Sequence, residues 1–137
     1  MIVQGRYHRI GNQWVAEIPL LSILISSPPG KEKESLIGSI EKLAHDARMD
    51  IDLIKNAEEN KFFFKVKNTD QFLPIILKRT RLAKKLSIAE VAKKLGHSSR
   101  NSYAQYEYGK TKLTFTKYLQ IMEAMDPQMK IVLSTLQ

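Results

Sequence analysis

Residues 87–113 read SIAEVAKKLGHSSRNSYAQYEYGKTKL, and this stretch decides the fold of the C-terminal half. Ser87 and Glu90 have the S-x-x-E spacing of a capping box, in which a hydroxyl and a carboxylate satisfy the orphan amides that open a helix. That spacing predicts a helix beginning near Ile88. Val91, Ala92 and Leu95 then recur at helical spacing, Ala92 is small enough for a second helix to approach closely, and Gly96 suits the left-handed position that ends a helix. Ser98 and Ser99 are each good N-caps for the next helix, which runs to Gly109 with Tyr103 turned inward. Its outward side carries Arg100, Asn101, Ser102 and Gln105. These side-chain types read base edges in the major groove, Arg on guanine and Asn or Gln on adenine, each good bidentate pair discriminating by about 1–3 kcal/mol. An ordinary solvated face would more often carry Glu and Lys.

The run SRNSYAQYEYGKTK within this stretch resembles the helix-turn-helix of the phage-repressor and Cro class, the Xre family. The resemblance implies base contacts from Arg100, Asn101 and Gln105, beside the outward Ser102 of the same face, and phosphate contacts from Ser87, Ser99, Lys110, Thr111 and Lys112. It sets Glu107 and Gly109 on the family's E-x-G signature and Tyr103 on its buried position. The turn, His97-Ser98-Ser99, is one residue longer than the usual pattern, a change able to rotate the reading helix by part of a turn.

Charge supports the same function without any family. The chain has 137 residues and a formal net charge of +8. Residues 1–69 contribute only +1, so nearly all of the basic excess belongs to residues 70–137. Lys78, Arg79, Arg81, Lys84 and Lys85 precede the motif, Lys93 and Lys94 lie in it, and Lys110, Lys112 and Lys117 follow, as a phosphate-facing surface requires. Some six neutralised phosphates would give a log-log salt slope near −5, at about −0.9 per contact.

An apolar content of 43% suffices for a core in each of two small domains, read as 1–68 and 69–137. There is no cysteine, which excludes disulfides and thiolate metal sites. No run approaches the ~18 apolar residues of a membrane span, and no signal-peptide pattern opens the chain, so the expectation is a cytoplasmic protein without membrane contact.

In the first half, alternation over residues 3–10 and 14–18, separated by Gly11-Asn12, predicts a hairpin. A third run, residues 20–26, ends at Ser27-Pro28-Pro29-Gly30. From 31 to 59, Leu36, Ile40, Leu43, Ala47, Ile51 and Ile54 recur every three or four positions, which predicts one long helix covering the sheet. Residues 61–67, KFFFKVK, read as the last strand. The fold class expected is therefore α+β, a β-β-β-α-β domain followed by an all-α domain. That order, with Trp14-Val15-Ala16-Glu17-Ile18-Pro19-Leu20, resembles the HicB antitoxin family. The resemblance implies a partial RNase-H-like fold without activity, a HicA-like toxin as partner, and a DNA-binding domain that represses the shared operon. In place of the family's glycine- and cysteine-bearing stretch stand Pro19-Leu20-Leu21-Ser22-Ile23. The competing reading is a stand-alone repressor whose N-terminal domain senses a ligand or mediates assembly.

Catalysis finds little support. Glu17 is the one acid in the first thirty residues, Asp46, Asp50 and Asp52 read as solvated charges, and His8, His45 and His97 lack ligand spacing. No phosphate loop or nucleophile motif occurs, and neither metal nor cofactor is expected. Finally, residues 114–125 predict a helix with Phe115, Tyr118, Leu119, Met122 and Met125 facing the core. Asp126-Pro127 stops it, and residues 129–134 look like a strand in which Met129, Ile131 and Leu133 would pair across a two-fold axis. A homodimer or higher even oligomer, on an inverted-repeat operator, is the expected assembly.

Overall fold

The computed structural model describes residues 1–43, 50–56 and 59–130. Five strands form one sheet: β1 (Ile2–Ile10), β2 (Gln13–Ile18), β3 (Ile23–Ser27), β4 (Ile51–Asn56) and β5 (Lys61–Val66), in the order β3-β2-β1-β5-β4. Every pairing is antiparallel. Gly11, at φ +58°, turns β1 into β2 with Ile10 opposite Gln13, as a two-residue hairpin loop requires.

Alternation sorts the sheet into two faces. Val3, Tyr7, Trp14, Ala16, Ile18, Ile25, Phe62, Phe64 and Val66 are buried on one of them. Helix α1 (Glu32–Leu43) covers that face through Leu36 and Ile40, both without solvent exposure. At the centre, Gly5 faces Phe62 across the β1–β5 ladder, and the Phe62 ring occupies the space a side chain at Gly5 would fill.

The long helix expected over 31–59 is corrected. Helix α1 is described to Leu43, and residues 51–56 form strand β4. Ile51 and Ile54 do stand three apart, but Ile51 also alternates with Leu53. Pairing with β5, where Ile51 faces Val66 and Leu53 faces Phe64, selects the period of two. Ile51 is consequently buried, whereas Ile54 lies on the open face at 60% exposure. Asp50 and Asp52 sit beside Lys67, at 3.0 and 3.7 Å. Ala47, His45 and Asp46 lie outside the described residues. The extra strand changes the topology: in a β-β-β-α-β unit the last strand returns parallel to the first, whereas β5 runs antiparallel to β1.

Four helices follow: α2 (Thr69–Ala83), α3 (Ile88–Lys94), α4 (Arg100–Glu107) and α5 (Phe115–Met125). Helix α2 belongs to both halves. A chain of ring contacts runs Tyr7–Trp14–Phe62–Phe64–Phe72, with centroids 5.3–6.4 Å apart, from the sheet into α2. Arg79 on α2 donates to the carbonyls of Leu21 and Ser22, both at 2.9 Å, closing the single 3-10 turn (Pro19–Leu21) between β2 and β3. Among the described residues no helix is long and apolar enough to cross a membrane.

Candidate nucleic-acid interface

Helix α3 begins as its sequence dictates. The Ser87 hydroxyl accepts from the Glu90 amide (3.1 Å) and the Glu90 carboxylate accepts from the Ser87 amide (2.6 Å), a complete capping box. The Ser87 amide, and then the Ser87 hydroxyl, hold the Glu90 carboxyl below its ordinary pKa. The helix ends in a Schellman motif: Gly96, at φ +76°, donates to Lys93, and His97 donates to Ala92. Helix α4 repeats the scheme. The Ser99 hydroxyl accepts from the Asn101 amide, and at the other end Gly109 donates to Tyr106 and Lys110 to Gln105. Five residues, Leu95 to Ser99, thus join α3 to α4 with their terminal groups satisfied, and the longer turn is absorbed without an uncapped helix end.

The rotation of α4 is set by what it buries. Tyr103, Ala104 and Glu107 face inward, Tyr103 with no solvent exposure at all. The Glu107 carboxylate receives two hydrogen bonds from the Arg81 guanidinium (2.8 and 2.7 Å) and one from the Tyr103 hydroxyl (2.7 Å). Arg81 also donates to the Leu86 carbonyl (2.9 Å), bracing the corner between α2 and α3. Burial, and then the adjacent Glu107 charge, push the Tyr103 hydroxyl well above its ordinary pKa, so it stays protonated and donates. The hydrogen bonding that Arg81 donates to Glu107 raises the guanidinium above its ordinary pKa.

With that face locked inward, Arg100, Asn101 and Ser102 are exposed and Gln105 is half-exposed. The loop beyond α4 brings Lys110, Thr111 and Lys112 to the surface. The backbone amides of Lys110 and Thr111 are both tied to the Gln105 carbonyl. Lys112 has Asp70 of α2 at 3.9 Å across an exposed gap. Ser87 and Ser99 spend their hydroxyls as helix caps. Lys93 and Lys94 are exposed, whereas the His97 ring is half-buried.

The basic surface expected before the motif needs correction. Arg81 is buried in the Glu107 pair, Arg79 is bound to two carbonyls of the 3-10 turn, and Lys84 is ion-paired with Asp126 at 2.8 Å. The sequence signal for Arg81 was available in Glu107: a carboxylate on the inward face of α4 needs a buried cation. In α5 the expected inward Phe115 is 58% exposed, while Ile121, not singled out by spacing, has no exposure. Thr114 caps this helix by accepting from the Lys117 amide. Of the residues assigned to a pairing strand, Met129 is half-buried against the core in irregular backbone, and Ile131 and Leu133 lie outside the described residues. Among the described residues no group of three or more His, Asp or Glu is placed to hold a metal.

Comparison with known proteins agrees with this geometry. Residues 77–126 match the family model described as helix-turn-helix. No curated protein and no solved structure matches the chain. The match takes in Leu77, Arg81, both capped helices, the Glu107 signature and α5 through Asp126. Residues 77–126 are a helix-turn-helix domain of the Xre and Cro type.

Proposed function

We propose that this chain is a cytoplasmic, dimeric repressor that occludes an operator by inserting α4 into the major groove. A helix-turn-helix domain of this type supports sequence-specific DNA binding and transcription regulation. The observation that carries the reading is the division of α4: one face clamped through Tyr103 and Glu107, the other presenting Arg100, Asn101, Ser102 and Gln105. In this reading those four contact bases, while Lys110, Thr111, Lys112 and the amide ends of α3 and α4 at Ser87 and Ser99 contact phosphates. The DNA-binding part is 69–137, and two copies would read half-sites about 34 Å apart. Selection from a randomised duplex library tests it. Enrichment of an inverted repeat supports the reading, and retention of DNA with no enriched motif contradicts it.

For residues 1–68, whose antiparallel fifth strand departs from a β-β-β-α-β order, the first reading is a domain that senses a ligand or holds copies together. The second reading, a HicB-type antitoxin that masks a HicA-like toxin, is favoured by the three-strand and helix order and by the 14–20 segment turning at Pro19. Co-expression with the product of the adjacent reading frame, followed by pull-down and growth assay, separates the two. A stable complex that restores growth supports the antitoxin, and the absence of a complex counts against it.

A further inference from the structure

Away from the reading face, the end of α1 and one side of α2 enclose a cavity of about 230 Å³, lined by Lys42, Leu43, Ile75, Lys78, Arg79 and Leu82. Ile75, Lys78, Arg79 and Leu82 recur every three or four residues and so share one face of α2. Arg81 lies on the other side of that helix, against Glu107. The floor is apolar: Ile75 is buried, Leu43 is half-buried, and Leu82 is 46% exposed. The rim is cationic. Among the described residues, none of Lys42, Lys78 and Arg79 has a carboxylate within ion-pair distance. The two carbonyls of the 3-10 turn fix the Arg79 guanidinium through Nε and Nη2, which leaves its Nη1 donors available.

Three cationic side chains line one apolar hollow, and an anion placed among them gains their attraction. We propose that this cavity binds a small amphipathic carboxylate. The carboxylate sits between Lys42, Lys78 and Arg79, and the apolar body lies against Leu43, Ile75 and Leu82. A volume below the ~300–1,000 Å³ typical of ligand pockets limits that body to a short chain or a single ring. The site is built from α1 and α2 and stands independently of the DNA-reading assignment.

Hexanoate, titrated into the full chain and followed by amide chemical shifts, tests the site, with hexanol and acetate as controls. Expected are saturable shifts confined to residues around 42–43 and 75–82, stronger binding of hexanoate than of either control, and roughly tenfold weaker binding by Lys42→Glu/Lys78→Glu. Lys93→Glu, on α3, should bind like the parent. Should the double reversal not fold, Lys42→Gln and Lys78→Gln singly carry the same comparison. Hexanol binding as well as hexanoate, shifts located elsewhere, or affinity indifferent to the lysines would overturn the proposal.

Discussion

Arg81 on α2 and Glu107 on α4, 26 residues apart in sequence, are joined by two hydrogen bonds of 2.8 and 2.7 Å, with the Glu107 side chain only 1% exposed. A bidentate pair of this kind fixes distance and angle together. It ties the last turn of α4 to the helix that also docks on the sheet, and so fixes which face of α4 meets solvent.

Removing one partner strands a buried charge, so Arg81→Met should destabilise the chain by about 3–5 kcal/mol. The double variant Arg81→Met/Glu107→Leu should lose clearly less, because both charges leave together. Urea denaturation of the set measures this, and additive losses would show that the two side chains are not coupled.

Helix α2 ends in the same Schellman pattern as α3 and α4, with Lys85 donating to Leu82 and Leu86 to Arg81. Here, however, the left-handed position at φ +56° is held by a lysine. A side chain there costs about 1–2 kcal/mol. Lys85→Gly should therefore raise stability by about 1 kcal/mol, whereas Lys85→Ala should change it little; a loss of stability in the glycine variant would contradict the assignment.

Gly5 is required by Phe62. Since the ring is fully buried between Trp14 and Phe64, it has no free space to yield, and Gly5→Ala should cost at least the ~1–3 kcal/mol of an overpacked core. Thermal unfolding checks the loss. Combining it with Phe62→Leu should cost less than the two changes separately, since the leucine opens room for the methyl.

Glu32, buried at the start of α1, accepts a hydrogen bond from Lys55 of β4 at 2.9 Å, and that bond holds its carboxyl below the ordinary range. A folded-state value below the unfolded one (~4.3) means that the unfolded chain takes up the proton first. The contribution is then complete above the unfolded value and lost as pH falls through the folded one. Lys55→Met should flatten the acid side of the stability profile below about pH 4–5 and leave its shape near neutrality unchanged.

Local signals carried most of the C-terminal domain. Ser87 with Glu90, Ser99, Gly96 and Gly109 each satisfy or end a helix within a few residues of themselves, so a sequence reading finds them where the structure has them. What escaped depends on distant partners. Strand β4 exists because β5 offers it a ladder, and Ile51 and Ile54 alone fit a helix equally well. Arg79 and Arg81 look like members of one basic run, yet they lie on different sides of α2 and meet the 3-10 turn and Glu107. Only the arrangement of the other elements decides which cation is free to meet a phosphate.

The central claim is that α4 reads bases while the loop after it holds phosphate. The direct measurement is affinity for the selected operator and its single-base variants over a range of salt, for the parent chain, Arg100→Ala, Gln105→Ala and Lys112→Ala. Arg100→Ala and Gln105→Ala should each relax preference at one position by about 1–3 kcal/mol. Lys112→Ala should weaken all sequences alike and reduce the salt slope by about one unit. Three variants with the same base profile and the same salt slope would contradict the account.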